Sequence, residues 1–279
     1  MYPKFIPMKY LLPVIWMILF WSCVAKKLPA VLYNTPDYFI LHKDIRIMEM
    51  DHLGNIYFID GLDRLSKFDT TGHLTFNNVN NSLGHVHSVD VGNPFKIMIF
   101  YRDQQTIVLL DRTLSEINQI VLANWNLHDI TAAALSPDNA IWLYDGTNRV
   151  LLKMDDHGKP ILTSDPFDII SPPTVRPDFI YDINQYLLLK EAGKPIAVFD
   201  DFGNYIKAIA DVTDNFTLSS HYLVYPKDGH VRVSDITGME GMRTIRTQAL
   251  IGNQKVFYSP GKFYFYDDKG IYFAPEEQK

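Results

Sequence analysis

One pattern recurs along this chain and limits what it can become: an apolar strand that closes on an aspartate and runs straight into a tight turn. The closing aspartates stand at Asp69, Asp111, Asp155, Asp200, Asp235 and Asp267, separated by 42, 44, 45, 35 and 32 residues. The clearest copy spans Pro137 to Ile161. There Asp138-Asn139 opens a turn, Ile141 to Tyr144 reads as a strand, and Asp145 to Asn148 connects it to a second strand from Arg149 to Met154. Asp156-His157-Gly158 then makes the next turn. Runs of β-branched and aromatic residues punctuated by Asp, Asn and Gly are the mark of short antiparallel strands. The spacing is what four such strands and their turns occupy.

A four-stranded sheet of this kind is apolar on both faces and cannot bury either of them alone. Stacking the sheets radially buries both faces and shelters the edges. The repeat therefore predicts an all-β, single-domain β-propeller over residues 24–279, with six blades of about four antiparallel strands; the alternative is another all-β fold rich in hairpins. The inner strands are expected at Ile45 to Met50, Val86 to Val91, Ile130 to Leu135, Phe179 to Ile183 and Thr217 to Ser220. The triplet Ala132-Ala133-Ala134 suits a strand crowded round an axis. The last unit has no evident fourth strand after Ile271 to Ala274, and Pro29 to Tyr33 from the other end of the chain is expected to supply it, removing the final free edge.

Residues 1–23 stand apart. From Met8 the chain reads as one lysine followed by an apolar segment short for a membrane span, ending at Ser22-Cys23 with the only cysteine of the sequence. This resembles the lipobox of bacterial lipoprotein signal peptides, in the form with bulky flanking residues (Phe20, Trp21) found in Bacteroidota; an uncleaved anchor helix is the alternative. The resemblance implies a signal peptide over 1–23, lipidation at Cys23 and attachment to the outer membrane through that lipid. Lys26-Lys27 favours the periplasmic face over the cell surface.

Asp-x-x-Gly-Asn-x-Tyr at Asp51 to Tyr57 and Ser-Pro-Asp-Asn-x-x-Trp at Ser136 to Trp142 resemble the loosely conserved blades of six-bladed propellers of the NHL type, and with the signal they resemble envelope propeller lipoproteins of Bacteroidota. The wider group holds lyases, lactone hydrolases, sugar binders and protein scaffolds, so the resemblance implies a fold more than a function. Charge excludes one class: 32 acidic against 26 basic residues and a net charge of −6 give no field to attract nucleic acid.

No nucleophile elbow, zinc-binding helix or phosphate-cradling loop is present. His85 and His87 share a strand face at i and i+2, but the alternation carries no third ligand onto it. The strand-closing aspartates read as caps of their own turns. The sequence thus predicts a non-enzymatic module without metal or cofactor, binding an outer-membrane or periplasmic protein complex. The alternatives are a carbohydrate or cell-wall binder, suggested by the aromatic content, and a propeller lyase or lactone hydrolase. Candidate partner-binding residues lie on the linkers between units: Trp125, Asn126, His128 and Asp129 on one, and Pro172 and Pro173 on the proline-rich stretch Ser164 to Pro177.

Overall fold

Each repeat folds into a four-stranded antiparallel sheet, and there are six of them. The computed structural model describes residues 38–41, 44–80, 82–173, 176–183, 185–210, 212–236, 243–249, 255–266 and 269–275, all within a unit spanning Asp37–Lys279. The first described strand is β1 (Tyr38–Leu41), which belongs to the last blade. Blade 1 follows as β2 (Ile45–Met50), β3 (Ile56–Asp60), β4 (Arg64–Phe68) and β5 (Leu74–Val79). Blade 2 holds β6 (Ser88–Asp90), β7 (Lys96–Tyr101), β8 (Thr106–Asp111) and β9 (Glu116–Val121); blade 3 holds β10 (Ile130–Leu135), β11 (Ile141–Asp145), β12 (Val150–Met154) and β13 (Pro160–Thr163). Blade 4 holds β14 (Phe179–Ile183), β15 (Tyr186–Lys190), β16 (Ile196–Asp200) and β17 (Tyr205–Ile209); blade 5 holds β18 (Thr217–Ser219), β19 (Tyr222–Lys227), β20 (His230–Asp235) and β21 (Arg243–Ala249). Blade 6 is β22 (Lys255–Ser259), β23 (Lys262–Tyr266) and β24 (Gly270–Pro275), completed by β1.

Side chains alternate across a strand, and here both faces are buried, so the strands read as nearly unbroken apolar runs. In β7, Ile97, Ile99 and Tyr101 pack toward blade 1 while Met98 and Phe100 pack toward blade 3. The core is accordingly six apolar layers, one between each pair of neighbouring blades. Each fully buried Ile, Leu or Phe in them contributes about 1.5–3 kcal/mol.

The turns follow from the aspartates. Asp69, Asp111, Asp155 and Asp200 each accept backbone N–H groups two and four residues on, at 2.7–3.0 Å, and so cap their own turns. Asp51 does the same for the first motif, taking N–H groups of Leu53 and Asn55 and the Tyr57 hydroxyl at 3.0 Å, with Gly54 at φ +84° completing the turn. Tyr57 and Trp142 hold the same place in their blades, and each lies under a lysine of the neighbouring strand, Lys67 at 5.2 Å and Lys153 at 5.1 Å from the ring centre.

The expected inner strands appear, with β6 shorter than Val86 to Val91 and β18 ending one residue before Ser220. The closing strand is corrected. It is Tyr38–Leu41 that pairs with β24, Leu41 opposite Gly270 and Tyr38 opposite Tyr272, whereas Pro29 to Tyr33 lies outside the described residues, as does Cys23. Ile40 is buried in the layer between blades 6 and 1, and Phe39 meets Phe273 edge-on at 5.7 Å, so this segment has the apolar contacts that seat it.

Candidate functional site

The inner strands β2, β6, β10, β14, β18 and β22 line a central channel with a cavity of about 490 Å³. We call the end where these strands begin the near rim and the other end the far rim. Three inner strands bring a carboxylate to the channel, always in the middle of an apolar triplet: Glu49 in Met48-Glu49-Met50, Asp90 in Val89-Asp90-Val91 and Asp182 in Tyr181-Asp182-Ile183.

The three are held differently. Asp90 accepts the N–H of Gly92 at 2.9 Å and that of Leu135 on the next blade at 2.8 Å, while Asp182 accepts the Ser136 hydroxyl at 2.8 Å and the Trp142 indole N–H at 3.1 Å. Both therefore latch neighbouring blades together. Burial raises both above the usual carboxylate range, against the pull of those hydrogen bonds. Glu49 has no hydrogen-bond or ion-pair partner among the described residues. It sits deep among protein atoms yet keeps part of its surface open to the channel. Burial pushes it up to about 8, with Asp90 adding to the rise and Lys255 opposing it. At neutral pH it is largely the neutral acid, within reach of ionisation.

Aromatic rings form the opposite character of the lining. His87 stacks on Phe179 at 5.2 Å and 11°, Phe179 on Tyr181 at 6.4 Å, and Tyr181 meets Phe216 edge-on at 5.7 Å. His87 Nε2 lies 2.8 Å from the Asp178 carbonyl, to which its N–H donates. Burial lowers its pKa and keeps the ring neutral.

A second cavity, of about 470 Å³, opens on the near rim between blades 2, 3 and 4. Arg176 grips Asp129 through two hydrogen bonds, at 2.6 and 3.0 Å, and Arg102 reaches Asp178 at 3.2 Å. The Arg176 guanidinium holds the Asp129 carboxyl below its usual range.

Of the linker residues picked from sequence, His128 and Asp129 come together in this cleft, His128 exposed and Asp129 half-buried in its ion pair. Asn126 is exposed at φ 57° and caps a 3-10 turn spanning Leu122–Trp125. Trp125 is half-buried: it packs on the layer between blades 2 and 3 and lies over Gly158. Pro172 is buried and Pro173 half-buried, just after α1 (Phe167–Ile170). His85 and His87 part company, His85 bonding Asp63 on the near rim at 2.6 Å while His87 turns into the channel.

This is the arrangement of a six-bladed β-propeller with a polar channel, and solved structures resemble its fold. No family model and no curated protein matches the chain. It is similar to a streptogramin B lyase, with 17% identity, 81% of this chain and 77% of that chain covered, and a TM-score of 0.52. It is likewise similar to a catalytically inactive histidine-to-alanine variant of virginiamycin B lyase from Staphylococcus aureus with quinupristin, with 12% identity over 87% and 81% of the two chains and a TM-score of 0.51. BamB from Moraxella catarrhalis follows at 10% identity, 80% and 70% coverage and a TM-score of 0.43.

The expectation of a non-enzymatic chain is corrected here, because the solved structures sharing this fold include lyases. The physical reason lies in the topology. A search along the sequence looks for groups close together in the chain, whereas the channel gathers Glu49, Asp90, Asp182 and Lys255 from four blades. The signal that was available is the acid at the centre of each apolar triplet.

Proposed function

We propose that the channel is a small-molecule site and that the protein acts on its ligand by elimination, a lyase-type reaction, with Glu49 as the proton-transfer group. The carrying observation is its unpartnered carboxyl, open to the channel and titrating near 8. A catalytic group is most useful when its pKa lies near working pH. As carboxylate, Glu49 takes a proton from a carbon next to an electron-withdrawing group. The electrons of that C–H bond form the double bond, the bond to the leaving group breaks with its pair, and the proton is returned from Glu49 to the leaving group. The likeness to lyases supports the reaction class only through the shared fold. In the described channel the histidine His87 is engaged with a backbone carbonyl, so the acid–base role falls to the carboxylate.

Quinupristin is the first probe, with liquid chromatography and mass spectrometry as the readout for an elimination product. The expected profile rises with pH and levels off near 8, and Glu49→Gln should lower turnover by about 10²-fold or more. Equal turnover by wild type and Glu49→Gln overturns the assignment.

We further propose that lipid on Cys23 holds the protein at the periplasmic face of the outer membrane, where the cleft lined by His128 and Asp129, together with the linker residues Trp125, Asn126, Pro172 and Pro173, meets an envelope protein complex. The exposure of His128 in the cleft, and of Asn126 two residues before it on the same linker, favours this second reading. Intact-mass analysis of the mature protein tests the lipid, and crosslinking from His128 in native membranes tests the partner.

A further inference from the structure

We propose that the ligand of the channel is an organic cation, a protonated or quaternary amine, seated against Phe179 and Tyr181 with Glu49 as its counter-charge. The inference rests on the channel reading above and adds the chemical class of ligand.

The charges lining the cavity decide it. Arg46 is taken up by Asp63 and the Asp60 carbonyl. Lys190 is buried and spent on Asp214 at 2.5 Å and on the carbonyls of Glu191 and Lys194 at 2.8 and 2.6 Å. Among the described lysines and arginines of the lining, that leaves Lys255, which lies near enough to influence Glu49 but makes no ion pair with it. On the acidic side, Asp90 and Asp182 spend their oxygens on neutral N–H and O–H donors and keep their negative potential for the cavity. Glu49 has no partner at all among the described residues. An anion entering this space meets the carboxyl groups of Asp90 and Asp182 and opposes ionisation of Glu49, and a neutral apolar ligand leaves Glu49 without a partner. A cation satisfies it.

The aromatic wall points the same way. The rings of Phe179, Tyr181 and Phe216 and the neutral imidazole of His87 line the cavity that Glu49 faces. Ring faces attract cations, and a bulky ammonium is recognised by rings together with a carboxylate. A narrow channel walled by low-dielectric protein strengthens both effects. Proton linkage adds a signature. An arriving cation favours the ionised carboxylate, so binding at neutral pH releases the Glu49 proton. Affinity for a permanently charged ligand then rises about tenfold per pH unit below 8 and is flat above it.

The test is calorimetric titration of the full-length protein with three benzyl probes of different charge: benzyltrimethylammonium, its uncharged carbon isostere neopentylbenzene, and phenylmethanesulfonate. We expect the ammonium to bind at least tenfold more tightly than the others, with proton release seen as buffer-dependent heat at pH 7. Glu49→Gln should lose that tenfold at pH 8.5 and abolish the pH dependence, and Phe179→Leu should weaken binding severalfold while leaving the pH dependence in place. Thermal unfolding confirms that both variants fold. Equal binding of the neutral or anionic probe, or wild-type ammonium affinity in Glu49→Gln, overturns the cation while the channel reading stands. Absence of binding by all three alongside Glu49-dependent turnover of quinupristin also removes the cation alone. Absence of both removes the two proposals together.

Discussion

Glu49 carries a stability consequence that needs no ligand. Its folded pKa lies above the unfolded value, so the folded chain holds the extra proton between roughly 4.5 and 8. The stability linked to that proton is fully present below the unfolded pKa and is lost as pH rises through the folded one. One pKa unit corresponds to 1.36 kcal/mol, and screening by channel water reduces the sum to about 1–3 kcal/mol. Glu49→Gln should therefore match wild type in unfolding at pH 4 and exceed it at pH 9, measured by urea denaturation across that range. The turn-capping aspartates were legible in sequence because a capped turn is local: Asp200 and the N–H groups it bonds lie within four residues. Glu49 was not, because its meaning depends on Asp90 and Lys255, which only closure of the ring brings near.

At the scale of the element, the linker between blades 2 and 3 shows how a loop is fixed by a distant turn. Gly158 has φ +84°, and a Cβ there would stand 2.2 Å from the Trp125 ring. Gly158→Ala is expected to cost about 2–3 kcal/mol from backbone strain and overpacking. Trp125→Ala should cost a similar amount by opening the layer it covers. In the double variant the clash is gone, so the combined loss should fall short of the sum by about 1 kcal/mol or more. Urea midpoints of the four proteins check this. Sequence gave the strands on either side through their period of two, and it marked Gly158 as a turn. It could not show that Trp125 lies over that turn, since nothing in the local pattern couples residues so far apart.

For the whole molecule, the repeat of closing aspartates carried the architecture, and the position of the last strand was missed because two apolar segments near the start could each have served. Tyr38–Leu41 is the one paired with β24. A chain beginning at Asp37 should keep the wild-type unfolding midpoint, whereas one beginning at Asp44 should unfold earlier and self-associate through the bare edge of β24, seen by size-exclusion chromatography. The same pairing sets a clock on biosynthesis. Among the described strands, β1 is translated first and β24 last. At about 5–20 residues per second the earlier strand waits on the order of ten to fifty seconds for its neighbour. Throughout that interval it is unpaired, a segment open to chaperones and proteases, and a chain interrupted at any blade leaves it so. The ring thus reports its own completeness: only a ribosome that has read through to the final blade releases a molecule whose first strand is covered.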